Sequence, residues 1–166
     1  MTATLSRAQL FSRGSRGGTA LLLSGSAVAL LAGPAAADAI PDGDLAYARL
    51  LVGAELLASD FYTRAIASKR FGGDALKYLK RALFNEGEHY DALSGVLSGA
   101  GQPPAVAEDF DFLYPKGTFG SKASIVKLGM TLETTFLGAY LGAVGALQAD
   151  ALKQPVARIA ASEAEH

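Results

Sequence analysis

From about residue 44 onward, apolar residues return every three or four positions in four successive stretches, which is the period of helices that each bury one face. The first stretch runs from about Asp44 to Arg70, with Asp42 or Asp44 placed to cap it and Gly72-Gly73 to stop it. The second runs from about Asp74, as N-cap, to Ser98, and Gly99 stops it. The third runs from about Ser121, again as cap, to Ala149; the fourth begins between Asp150 and Pro155 and is still running at His166. Alternating and β-branched runs are scarce, so no strands are expected. Gly129, Gly138, Gly142 and Gly145 each weaken the third helix by about 1 kcal/mol relative to Ala. The period persists through them, which predicts close helix–helix approach at these small residues.

The breaks between helices one and two, and between three and four, are short, so each pair is expected to form an antiparallel hairpin. The 22 residues of Gly99–Gly120 are different. Extended, they reach roughly 70 Å, and a helix of this length spans about 40 Å. They can therefore cross the whole bundle, and Phe110 and Phe112 are expected to be buried in doing so. The fold class is all-α: a four-helix bundle with a long crossover between helices two and three.

The composition removes several kinds of chemistry. The 166 residues include no cysteine, which excludes a disulfide framework, a thiol nucleophile, an iron–sulfur cluster and any cysteine-based zinc site. A net charge of −1 argues against a nucleic-acid partner. The N-terminus changes the picture further. Arg7, Arg13 and Arg16 form a basic stretch without an acid, followed by the 14-residue apolar run Ala20–Gly33, Pro34 and Ala35-Ala36-Ala37. That is the layout of a secretory signal peptide with an A-x-A cleavage site. The alternative is a membrane anchor, but 14 helical residues reach only about 21 Å, short of a hydrocarbon core of roughly 30 Å. No two arginines are adjacent, so a twin-arginine export signal is poorly matched. Residues 1–37 are read as the signal and 38–166 as the domain. The product is expected to be exported, periplasmic or extracellular, with no stable membrane span after cleavage.

The chemistry lies in acids that share faces with apolar residues. Glu55 shares its face with Leu51, Val52, Ala58, Tyr62 and Ile66, and Glu86 lies in a stripe with Leu79, Leu83, Leu93 and Leu97. Glu133 sits among Val126, Met130, Phe136, Leu137, Tyr140 and Val144, and Glu163 follows Val156, Ile159 and Ala160. Each helix thus directs one glutamate inward. Glu88, with Arg81, Asn85 and Asp91, and Glu165, with Arg158 and Ser162, read as solvated faces. The only two histidines, His89 and His166, each follow an inward glutamate by three residues and so point to the same side of their helices. Depth agrees: Glu55 and His89 both lie 17 residues from Gly72, while Glu133 and His166 lie 17 and 16 from Asp150. The two hairpins repeat one design, Glu, then a turn, then Glu-x-x-His.

Four ionised carboxylates in a core repel one another and each costs several kcal/mol. Two divalent cations would balance them, and the imidazoles would complete the coordination. Oxygen and imidazole donors suit iron or manganese. The competing explanation is neutralisation by protonation or by basic partners. Tyr62, Tyr90 and Tyr140 read first as amphipathic core filling, with hydrogen bonding to ligands or electron relay as the alternative.

The pattern resembles the ferritin-like superfamily of di-iron carboxylate proteins, in which two helices give one Glu each and two give Glu-x-x-His. Glu55 with Phe61-Tyr62, Glu86 with His89, Phe110-Asp111-Phe112, Glu133 with Ala139-Tyr140-Leu141-Gly142, and Ala161–His166 carry the likeness, which is greatest to exported ferritin-like proteins that include desiccation-related proteins. The resemblance implies that Glu86 and Glu163 bridge two metals, with Glu55 and His89 completing one and Glu133 and His166 the other. It implies a redox centre reactive towards dioxygen or peroxide, of oxidase or peroxidase type, in oxidative or desiccation stress; assembly into oligomers is compatible with it. Rubrerythrin-type peroxidase chemistry lacks its usual cysteine-bound electron-transfer domain here. The second reading is a non-catalytic exported bundle with a structural or vestigial metal site. Because helix four is much shorter than its partners, its reading frame is expected to continue beyond His166.

Overall fold

The computed structural model describes residues 39–166; the expected signal segment lies outside the described residues. Among the described residues there are four α-helices and no strand: α1 (Asp42–Ala67), α2 (Gly73–Gly99), α3 (Lys122–Ala146) and α4 (Asp150–Glu163). The connection between α2 and α3 holds two short 3₁₀ turns, Ala107–Asp109 and Thr118–Gly120.

The helix ends follow local chemistry. Ser121 caps α3 as expected: its Oγ accepts from Ser124 N at 3.1 Å, and Ser124 Oγ accepts from Ser121 N at 3.2 Å. α2 begins one residue before Asp74, whose carboxylate pairs with Lys77 at 2.9 Å instead of capping. After α2, Gly101 takes a left-handed conformation (φ 71°), and Gln102 N donates back to Leu97 O at 2.9 Å.

Asp44 is not the cap of α1. It lies in the first turn, 2% exposed, and its Oδ2 accepts from Gln148 N (2.9 Å) and Ala149 N (2.7 Å). This explains why α3 stops at Ala146 rather than at Ala149: Leu147 turns extended (ψ 142°), and the next two N–H groups point at the buried carboxylate.

Cross-helix bonds define the topology. Asp44 meets Gln148, Glu55 meets Tyr140 and Tyr62 meets Glu133, so α1 and α3 are antiparallel. His89 meets Glu163 and Asn85 meets His166, which makes α2 and α4 antiparallel as well. α2 and α3 are therefore parallel, and the segment between them must return along the length of the bundle. It does so beside α1. Tyr90 OH donates to Ala105 O (3.0 Å), the Phe110 ring reaches Gly53, Tyr114 OH donates to Asp60 Oδ2 (2.9 Å), and Phe119 packs on Phe61.

The crossover corrects one expectation. Phe110 is 40% exposed and Phe112 only half-buried; the two rings stack on each other at 5.2 Å on the outside of the bundle. The glycines of α3 correct another. Only Gly129 makes a close approach, where an added Cβ would lie 3.2 Å from the Phe61 ring; Gly138, Gly142 and Gly145 are exposed with open space around them. Val126 and Met130, expected inward, are 48% and 68% exposed. α3 is apolar nearly all round, so its sequence period does not single out one inner face.

The core has two clusters, one containing Leu51, Leu93, Leu97, Tyr140 and Leu152, the other Phe61, Tyr62, Leu79 and Ile125. Along α2 and α3 the inward glutamates fall between them.

Candidate metal centre

α1 contributes Glu55, α2 Glu86 and His89, α3 Glu133, and α4 Glu163, with His166 in the turn that follows. All four glutamates and His89 are buried, and Glu86 has no exposed surface. The six side chains form two overlapping groups, Glu55–Glu86–His89–Glu163 and Glu86–Glu133–Glu163–His166. Within each group, one donor atom per residue lies within 4.8 Å of all the others. Glu86 and Glu163 belong to both.

Both imidazoles present Nδ1 to the carboxylates. His89 Nδ1 lies 3.0 Å from Glu163 Oε1 and 3.5 Å from oxygens of Glu55 and Glu86. His166 Nδ1 lies 3.1 Å from Glu86 Oε1 and 3.4 Å from Glu133 Oε2. These approaches lack hydrogen-bond geometry. Eight buried donor atoms of the cluster have no hydrogen-bond partner: both oxygens of Glu86 and of Glu163, one each of Glu55 and Glu133, and both Nδ1 atoms. Buried polar atoms are nearly always paired, so eight orphans facing one small volume are a donor set that could hold metal.

The clustered groups shift one another's protonation. Burial alone would lower the histidines, but the surrounding carboxylates outweigh it and push His89 up to about 11 and His166 up to about 10. Burial raises Glu55 to about 8 and Glu163 to about 7, partly opposed by His89. Burial also works to raise Glu86, but His166 and His89 together overcome it and hold Glu86 down at about 2.

The tyrosines do more than fill space. Tyr62 donates its hydroxyl to Glu133 Oε1, and Tyr140 donates to Glu55 Oε1. Burial, reinforced by these carboxylates, pushes both hydroxyls far above the ordinary tyrosine range, so they remain donors. Tyr90 instead bonds the crossover. Glu88 and Glu165 are exposed, as their faces suggested. Asn85 departs from its expected solvated face: it is half-buried, with its amide nitrogen Nδ2 3.1 Å from Nε2 of His166. Its place directly before Glu86, at the margin of the inward stripe, is the only sequence signal of that role.

A groove of about 370 Å³ opens beside the cluster. Glu133 and His166 lie among its lining, and Phe61, Phe71, Leu79 and Ile125 give it apolar walls. No helix among the described residues is long and apolar enough to cross a membrane.

No curated protein and no solved structure matches the chain. The family model of the ferritin-like domain matches residues 43–166, which takes in the four helices, save Asp42 at the start of α1, and all six clustered residues. On that match, with the all-helical architecture beneath it, the chain belongs to the ferritin-like domain family.

Proposed function

We propose that this chain is an exported ferritin-like protein that holds two iron or manganese ions through Glu55, Glu86, His89, Glu133, Glu163 and His166, and that it acts in oxidative or desiccation stress. The observation that carries the reading is the set of eight buried, unpartnered oxygen and nitrogen atoms arranged in two groups that share Glu86 and Glu163. When bound, such a pair supplies redox chemistry towards dioxygen or peroxide.

The chain's own residues do the rest. Glu86 and Glu163, common to both groups, would bridge. Glu55 with His89, and Glu133 with His166, would each serve one ion. Tyr62 and Tyr140 fix one oxygen of Glu133 and of Glu55, leaving the other oxygen of each free as a ligand. The apolar groove gives a small molecule a route to Glu133 and His166 while its walls limit water. The export component rests on the basic stretch, apolar run and A-x-A site of residues 1–37, and cleavage would leave Asp38 as the first residue.

A non-catalytic exported bundle with a structural or vestigial metal site is the second reading. The nearness of His89 and His166 to the carboxylates favours it, because protonated imidazoles could balance those charges. Elemental analysis of the purified domain, followed by optical spectra on adding peroxide, separates the two. About two iron or manganese per chain with a peroxide-dependent spectral change supports the redox reading. A folded protein that takes up neither metal defeats it.

A further inference from the structure

We propose that Asn85 is the positioning residue of His166: its side-chain amide holds the Nε2 edge of the ring, so that Nδ1 faces the carboxylates and is available to a metal ion. The inference rests on the metal-centre reading and adds to it a residue outside the six ligands. His166 stands between two sets of polar atoms. Nδ1 faces Glu86 and Glu133 at 3.1 and 3.4 Å, while Nε2, on the other edge, lies 3.1 Å from Nδ2 of the Asn85 amide.

An imidazole that gives Nδ1 to a metal keeps its remaining hydrogen on Nε2, and that hydrogen needs an acceptor. An asparagine amide carries an acceptor oxygen at one end and a donor nitrogen at the other, and a half-turn of the side chain exchanges them. In the structure the donor end, Nδ2, faces Nε2, which suits a ring that accepts there; with Nδ1 committed to metal, a half-turn of the amide brings Oδ1 to complement the hydrogen on Nε2. Asn85 precedes Glu86 on α2, so one helical turn supplies both a shared carboxylate and the partner of the imidazole from the other hairpin. The residue at the matching place before Glu163 is Ser162, a shorter side chain with no amide. The two halves are therefore not equivalent, and the orienting contact acts on His166.

The test uses the full chain with ¹⁵N-labelled histidines, with and without Zn²⁺ as a diamagnetic probe, observed by long-range proton–nitrogen correlation. In Zn²⁺-loaded wild type the hydrogen of His166 should sit on Nε2 and exchange slowly with solvent. In Asn85→Ala that exchange should accelerate about tenfold or more, and Zn²⁺ should bind about ten- to a hundredfold more weakly at one of its two positions, with the signals of His89 unchanged. Asn85→Asp, which keeps an acceptor, should restore slow exchange; a residue that only fills space would give no such rescue. Exchange and Zn²⁺ affinity unchanged in Asn85→Ala would overturn the proposal, as would failure of Asn85→Asp to differ from Asn85→Ala. If Asn85→Ala does not fold, Asn85→Leu and Asn85→Asp provide the same comparison. A wild-type chain that binds no Zn²⁺, iron or manganese defeats the metal reading instead, and the metal-free ¹⁵N shifts of the His166 ring, compared between wild type and Asn85→Ala, still decide the role of Asn85.

Discussion

Tyr140 follows Glu133 by seven residues on α3 and donates its hydroxyl across the bundle to Glu55 on α1. Tyr62, seven residues after Glu55, returns the same contact to Glu133. The exchange ties the two helices that supply the unshared glutamates. Tyr140→Phe should leave a buried carboxyl oxygen without its donor and lower the stability of the metal-free protein by about 1–3 kcal/mol. Tyr90→Phe, which loses only a half-buried bond to Ala105, should cost about 0.5–1.5 kcal/mol. Urea unfolding reads both, and an unchanged midpoint for Tyr140→Phe would count against the contact.

Glu86 and Glu88 provide an internal comparison. They are chemically identical and two residues apart, but one is fully buried in both donor groups and the other is exposed. Added Fe²⁺ or Mn²⁺ should stabilise wild type by roughly 3 kcal/mol at a hundredfold excess over the dissociation constant. Glu86→Ala should abolish that shift in thermal unfolding, and Glu88→Ala should retain it within about 0.5 kcal/mol. If Glu86→Ala keeps the full shift, Glu86 is not a ligand.

The metal-free fold should lose stability as pH rises. His89 and His166, raised from 6.5 to about 11 and about 10, contribute stability in full below 6.5, and it is lost as pH climbs through those values. Glu55 and Glu163, raised from 4.5 to about 8 and about 7, hold protons in the folded state that the unfolded chain has released, so they too favour folding less as pH rises. Glu86, lowered to about 2, acts oppositely, but only below 4.5. The metal-free Tm should therefore be higher at pH 5 than at pH 9. Metal loading at pH 7 should expel about three protons per chain, measurable by calorimetry in two buffers of different ionisation enthalpy. A metal-free Tm that rises from pH 5 to pH 9 would show the assigned proton sites to be wrong.

Asp44 connects the start of α1 to the turn between α3 and α4. Asp44→Ala should leave Gln148 and Ala149 N–H groups unpaired and cost about 3 kcal/mol, whereas Asp44→Asn, which keeps one acceptor oxygen, should cost less. Equal losses in denaturant unfolding would show that packing, not these two bonds, explains the burial.

Two glycines of α3 should respond in opposite directions to alanine. Gly129→Ala drives a methyl towards Phe61, itself enclosed by Tyr62, Tyr114 and Phe119, and should cost about 1–3 kcal/mol. Gly138→Ala meets nothing and should add about 1 kcal/mol of helix stability. Denaturation midpoints that move the same way would contradict the packing described.

The helices and the convergence of the six clustered residues are legible in the sequence because helical period is local: spacings of three, four and seven carry Glu86, His89 and Leu93 to one side whatever lies opposite. Asp44 is not legible in that way. Its partners are backbone N–H groups more than a hundred residues away, and no period encodes them. Asn85 was hidden because it sits about 100° around the helix from Glu86, at the edge of the inward stripe, where helical position alone does not separate half-buried from solvated. The inner face of α3 departs from the sequence expectation at Val126 and Met130 because a helix that is apolar on most sides carries little directional information. Phe110 and Phe112 follow from the same limit: hydrophobicity shows that rings seek contact, and here much of that contact is with each other.

The repeated hairpin has a consequence for how the molecule comes apart. Glu55, Glu86 and His89 lie on one hairpin, Glu133, Glu163 and His166 on the other, and each donor group is completed by a single carboxylate borrowed across. Either hairpin can form from contacts near in sequence, yet neither owns a complete group. The centre thus works as a latch between two halves joined by one long strap: any opening that parts the hairpins dismantles both donor groups at once, even while each pair of helices stays wound.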